Sequence, residues 1–215
     1  MPLGRRAAPF DHPDWIFELK YDGFRALAYI QDGKAQLISR RGNPFKSFST
    51  LCDAIGRELK ADAAIVDGEI VCLDCKGRAQ FNKLLFRRAE PCFVAFDVLW
   101  IDGKDLRKLP LMSRKTRLRR IVPRQPSRAL YCDHVEDCGT ELFRLVCKKD
   151  LEGIVAKLKR GYYLNTEGET SWFKIRNRNY SQMQGRREQF ERLRARAEAA
   201  ASPARRPLDS ARAED

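Results

Sequence analysis

The stretch Glu18-Leu19-Lys20-Tyr21-Asp22-Gly23-Phe24-Arg25 constrains the fold more than any other part of the chain. From residue 15 to 21 the residues alternate with the two-residue period of a strand. Ile16, Glu18 and Lys20 therefore share one face, and Phe17, Leu19 and Tyr21 the other. Asp22-Gly23 interrupts that strand with a residue tolerant of left-handed backbone, and residues 24–30 begin a second extended run that carries Arg25. The second run turns at Asp32-Gly33, a favoured hairpin dipeptide, and returns over residues 35–39. The chain is thus expected to open as an antiparallel meander with a lysine, a carboxylate and an arginine around one tight turn. A lysine fixed at a strand end becomes a nucleophile when nearby cations and burial destabilise its ammonium form, and Arg25 is such a neighbour.

Beyond this opening, Phe48, Leu51, Cys52, Ile55 and Leu59 recur at helical spacing. Residues 63–73 read as a strand with Asp67 and Glu69 on one side and Val66, Gly68 and Ile70 on the other. Residues 92–100 form an apolar run rich in β-formers, a buried strand followed by a turn at Asp102-Gly103. Ser113 is expected to cap a basic helix reaching about Val122, whose residues Arg114 to Arg120 either track a nucleic-acid backbone or form a solvated face. A strand over 129–135 follows, then a helix over 140–149 with Leu142, Leu145 and Val146 inward, and strands over 153–158 and 171–176. Strands and helices mix without regular alternation, which predicts an α+β fold of antiparallel sheets with packed helices. Residues 1–180 read as one domain, 184–200 as a charged C-terminal helix within a segment 181–200, and 201–215 as a disordered tail.

Lysine and arginine number 42 against 29 aspartates and glutamates, a formal charge of +13 that points to a polyanionic partner, nucleic acid first. An apolar content of 43% suffices for a real core and excludes a wholly disordered chain. No apolar run approaches the roughly 20 residues of a membrane span, and Met1-Pro2-Leu3-Gly4-Arg5-Arg6 lacks a following signal core, so a cytoplasmic protein is expected. The seven cysteines are odd in number and sparse, and the Cys72/Cys75 pair lacks the further ligands of a structural zinc site. Reduced thiols are expected.

Six segments across residues 18–176 resemble, in order, the motifs of the nucleotidyltransferase (ATP-grasp-like) domain of ATP-dependent DNA ligases. They are Lys20-Tyr21-Asp22-Gly23-Phe24-Arg25, Ser39-Arg40 with Gly42, Asp67-Gly68-Glu69, Phe96-Asp97, Glu152-Gly153-Ile154-Val155-Ala156-Lys157, and Trp172-Phe173-Lys174-Ile175-Arg176. The resemblance implies that Lys20 attacks the α-phosphorus of ATP, expels pyrophosphate and carries AMP to the 5′-phosphate of nicked double-stranded DNA in repair. It implies that Glu18 and the adjoining backbone at Leu19 read the base edge, that Phe96 stacks on adenine and that Glu69 holds the ribose hydroxyls. Arg25, Lys174 and Arg176 would sit by the phosphates and Arg40 where ligand and nucleic-acid backbone meet, with Glu152 beside Mg²⁺ or Mn²⁺. The resemblance further implies an OB-fold domain after the last motif. The 39 residues after Arg176 read as helix and tail instead, so an OB-fold or other repair protein acting in trans is expected. Two alternatives stay open: an RNA ligase or capping-type nucleotidyltransferase, and a non-catalytic DNA-binding repair module.

Overall fold

The structure is a computed structural model and describes residues 1–124, 126–163 and 170–183. Met1–Tyr180 forms one compact unit; Ser181–Asp215 is a second, and the helix and tail expected over 184–215 lie outside the described residues.

Two sheets build the larger unit. The first has the order β1(Gly4–Arg5), β11(Trp172–Arg176), β10(Gly153–Leu158), β2(Trp15–Leu19), β9(His134–Glu136). The second runs β4(Lys34–Ser39), β3(Phe24–Gln31), β5(Ala63–Val71), β6(Cys92–Ile101), β7(Lys104–Asp105), with β8(Ala129–Tyr131) also paired to β6. Pairing is antiparallel except for β1 with β11 and β6 with β8. Ile16, Val155 and Trp172 of the first sheet meet Leu27, Ile65, Phe96 and Leu99 of the second in a shared core, so the sheets pack face to face. The outer face of the first sheet, through Phe17, Ile154 and Ile175, packs on α4(Gly139–Lys148). The outer face of the second, through Ala28, Leu37 and Val66, packs on α1(Ser49–Glu58) and the inner side of α3(Leu111–Ile121). A short helix, α2(Phe81–Leu85), contributes Leu84 to the same layer. Among the described residues no helix is long and apolar enough to cross a membrane.

The opening meander is corrected. Within this opening segment only β3 and β4 form a hairpin, through Asp32 (φ 49°) and Gly33 (φ 75°), both left-handed as this tight turn demands. β2 lies in the other sheet, paired with β9 and β10. Asp22-Gly23 is therefore the crossover between sheets. Its glycine is needed for space rather than for positive φ, since a Cβ at Gly23 would stand 2.1 Å from the Ile70 carbonyl oxygen.

Three further expectations shift. The strand expected over 129–135 divides into β8 and β9, one in each sheet, because the chain crosses the seam at Cys132-Asp133. α3 starts at Leu111 after Pro110, so Ser113 lies inside it and caps nothing; fully buried Leu111 anchors the first turn in the inter-sheet core. On α4, Leu142 and Val146 face inward, whereas Leu145 is 46% exposed.

Candidate functional site

Lys20 follows β2 directly, where the crossover begins, and its backbone N–H donates to the Gly153 carbonyl (2.9 Å) at the start of β10. Gly153 has φ 153°, and a Cβ there would meet the Ile175 carbonyl oxygen at 2.2 Å, so only glycine lets these strands close around the lysine. The adjacent Glu152 is 4% exposed, and its two carboxylate oxygens each lie 2.8 Å from Lys20 Nζ. Burial raises the Glu152 pKa, and the attraction of Lys20 only partly offsets it. The nearest charged partner of Lys20 is thus a carboxylate, where the sequence suggested Arg25.

Arg25 is otherwise engaged. Its Nε and Nη2 donate to both oxygens of buried Asp67 (3.0 and 2.6 Å), and Nη1 donates to the Met1 carbonyl (2.9 Å). The Tyr163 hydroxyl donates to the same Asp67 at 2.8 Å. With its fork committed to Asp67, Arg25 presents a guanidinium face 5.6 Å from the Phe96 ring centroid and 5.7 Å from that of Trp172. It lines the seam pocket as a wall, with its fork turned to Asp67.

That pocket opens between the sheets and is bordered by Glu18, Leu19, Lys20, Arg25, Glu69 and Phe96, with Lys157 and Trp172 also on its walls. Phe96 reaches it through a β-bulge. Asp97 pairs with Asp67 but Ala95 with Gly68, so Phe96 and Asp97 are successive residues on the inner side while Phe93, Ala95 and Val98 face the outer core. Phe96 is half-buried and meets Trp172 edge to face (5.9 Å).

At the pocket's inner end Glu18, 2% exposed, is held from two sides. Lys157 Nζ lies 2.5 Å from one carboxylate oxygen and Lys115 Nζ 2.5 Å from the other, and Lys115 also donates to the Cys132 carbonyl at 2.7 Å. Burial works against the carboxylate, yet the two ammonium groups outweigh it and hold the Glu18 pKa below its usual value. The sequence reading missed Lys115. It was counted in a helix face tracking nucleic acid or solvated, but both Lys115 and Arg114 are buried, the latter clamped to Asp97 by two hydrogen bonds (2.9 and 2.8 Å). A run of closely spaced cations conceals which of them face inward, and Leu111, Leu118 and Ile121 are the available clue, since they mark the buried side.

Glu69 lies opposite Arg25 across β3 and β5. Desolvation pushes its pKa up to about 8 against the pull of Lys20 and Arg25, so it is mostly protonated at neutral pH and can donate as well as accept a hydrogen bond. The unfolded chain ionises this group near 4.5. The folded state therefore holds an extra proton between about 4.5 and 8, and Glu69 lowers stability progressively as pH rises through that window. Glu69→Gln is expected to melt above the parent at pH 9 and level with it at pH 4.5; a constant gap across that range would refute the protonation state.

The remaining predicted cations do not line the pocket itself. Lys174 sits in β11 opposite Val155, its pKa lowered by burial and then by Arg176, Lys20, Arg5 and Arg40. Arg176 Nε is 3.8 Å from Glu152 Oε1. Arg40 is exposed and borders a neighbouring cleft with Met1, Arg25, Asp67 and Tyr163, outside the pocket itself. All seven cysteines are free, and no cluster of three acidic, histidine or cysteine ligands occurs among the described residues.

Residues 7–176 match the family model for the ATP dependent DNA ligase domain. The bifunctional non-homologous end joining protein LigD of Bacillus subtilis is 31% identical over 196 residues, covering 76% of this chain and 31% of its own length. The SPbeta prophage-derived DNA ligase-like protein LigB of the same organism is 28% identical over 182 residues, covering 81% and 66%. Among solved structures, the ligase domain of M. tuberculosis LigD matches with a TM-score of 0.69 at 25% identity, covering 81% of this chain and 58% of that one. Mycobacterial DNA ligase D complexed with ATP and MES matches the fold with a TM-score of 0.67 at 24% identity, covering 81% and 59%. The fold is that of a ligase-type nucleotidyltransferase domain. The chain belongs to the ATP-dependent DNA ligase domain family, and it spans 31%, 22% and 20% of the length of three LigD relatives that it matches.

Proposed function

We propose that this chain is the adenylation domain of an ATP-dependent DNA ligase, forming a covalent lysyl-AMP at Lys20 and passing AMP to the 5′-phosphate of nicked DNA in repair. The observation that carries this is the position of Lys20, at the mouth of a pocket with a carboxylate end, an aromatic wall and a cationic rim. A structural neighbour holds ATP, and the relatives include end-joining repair proteins. In this reading Lys20 Nζ gives a proton to solvent at the pocket mouth, attacks the α-phosphorus as the free amine and displaces pyrophosphate. Glu18, acceptor-only while ionised, favours the 6-amino group of adenine over the 6-oxo group of guanine, the choice that disfavours a guanylyl-transferring capping role. Phe96 borders the base, and protonated Glu69 exchanges hydrogen bonds with the ribose. Lys174 and Arg176, with Arg40 further out, neutralise charge on the phosphates.

The donor set suits a magnesium or manganese ion. Such ions need only one or two carboxylates when phosphates and water complete their shell, and Glu152 would be the protein ligand. The ion would screen the repulsion between phosphate oxygens. Closure on DNA is assigned to an OB-fold domain or another repair protein.

The test is incubation with ATP and Mg²⁺ followed by intact mass and peptide mapping. One AMP on Lys20 is expected. Absence of an adduct, together with failure to seal a pre-adenylated nick, would leave the non-catalytic DNA-binding module as the better reading.

A further inference from the structure

Behind the nucleotide pocket lies a second concavity that the ligase reading does not use. Its floor is Lys115 and Tyr131, and Lys60, Arg119, Arg120 and Arg124 stand around it. The two cavities are back to back, because the Lys115 side chain that floors the groove is the one that grips Glu18 on the pocket side. Tyr131 and neighbouring His134 belong to β8 and β9, so the groove runs over the place where the chain crosses from one sheet to the other.

Lys60, Arg120 and Arg124 are exposed, and among the described residues none of these three, nor Arg119, is paired with a carboxylate. This contrasts with the inward side of the same helix, where Arg114 and Lys115 are each paired with a buried carboxylate. Arg119 stacks over Tyr131 at 5.0 Å, which holds its guanidinium plane while leaving its donors uncommitted to any acid. The Arg114–Asp97 clamp locks α3 against β6, so the helical wall of the groove is preformed. Several uncompensated cations on a rigid concave frame match a row of phosphates better than a single small anion.

We propose that this groove binds the sugar-phosphate backbone of DNA, as a contact separate from the rim around Lys20 where the nick is processed. The proposal rests on the DNA-joining reading for the choice of polyanion. Guanidinium forks pair with phosphate oxygens in two-point contacts, and the backbone contact adds affinity without reading sequence.

The test compares Lys60→Glu/Arg120→Glu/Arg124→Glu with a control of equal charge change on exposed lysines outside the groove lining, Lys34→Glu/Lys104→Glu/Lys108→Glu. Binding to a labelled nicked duplex is measured across a salt series, and AMP labelling of Lys20 is followed in parallel. Each lost phosphate contact removes about 0.9 from the slope of log K against log salt. The groove variant is expected to lose about 2.7 from that slope and to bind about tenfold or more weakly at low salt, while the control stays near the parent and both keep adduct formation. Equal losses in the two variants would reduce the effect to bulk charge and overturn the groove. An unchanged slope in the groove variant, or a parent that does not bind the duplex, would overturn it as well. A groove-specific loss in a protein that never forms the adduct would uphold the groove and sink the transferase reading instead.

Discussion

Lys20→Ala is expected to form no AMP adduct under conditions in which the parent is fully labelled, while remaining folded. The pocket wall holds one other lysine, Lys157, and it cannot substitute: its Nζ lies 2.5 Å from Glu18 and 3.9 Å from the Trp172 ring centroid, in a side chain that is 2% exposed. Lys174, on the rim, belongs to a different strand and faces the phosphates in the proposed geometry. Chemistry therefore depends on a single amine. Lys20→Arg is the sharper control, because it keeps the charge beside Glu152 but supplies no comparable nucleophile. Stability should fall by only about 1–3 kcal/mol in Lys20→Ala, since the orphaned Glu152 escapes its buried charge by taking up a proton. Burial already raises that group's pKa, and losing Lys20 raises it further. A folded pKa above the unfolded value means that the variant loses stability as pH rises from about 4.5 through the folded pKa. Its melting temperature should come closest to the parent's at mildly acidic pH. Labelling of either variant at the parent rate would remove Lys20 from the mechanism.

Local signals gave the strands, since alternation at Glu18 and Lys20 and the Asp-Gly hairpins depend on residues close in sequence. Six short motifs in order carried the family. What stayed hidden depends on which sheet a strand joins. Nothing in Asp22-Gly23 distinguishes a hairpin from a crossover, because both require a sharp change of direction; the deciding contact is with Ile70, far along the chain. The bulge at Phe96 is equally silent, since it shows only in the register of β6 against β5, where no special residue marks it. Partners of buried charges were the largest omission. Arg25 with Asp67, Arg114 with Asp97 and Lys115 with Glu18 are separated by 42, 17 and 97 positions, beyond any spacing rule. Arg114 and Lys115, read from the sequence as part of a face toward nucleic acid or solvent, are instead paired inside the fold.

The Glu18 triad gives the largest expected effect on stability. Glu18→Leu leaves the ammonium groups of Lys115 and Lys157, 1% and 2% exposed, without their shared counter-ion. Breaking a buried pair in this way costs roughly 3–5 kcal/mol, and for a unit of this size that lowers the melting temperature by roughly 10 °C. Desolvation nevertheless opposes every member: burial pulls the Lys157 pKa down even with Glu18 beside it, and in Lys115 it is outweighed mainly by the attraction of Glu18. The triad is therefore a poor source of net stability compared with apolar packing of the same volume. Glu18→Leu combined with Lys115→Met and Lys157→Met should recover most of the lost stability while losing the preference for ATP over GTP. In the parent, Glu18 has a folded pKa below its ordinary 4.5, so its contribution is fully present above that value and is lost as pH falls through the lower folded pKa. The gap in melting temperature between parent and Glu18→Gln should accordingly shrink as pH drops below 4.5. If the triple variant were as unstable as Glu18→Leu alone, the triad would be a source of stability, and the assignment of Glu18 to base choice would lose its physical reason.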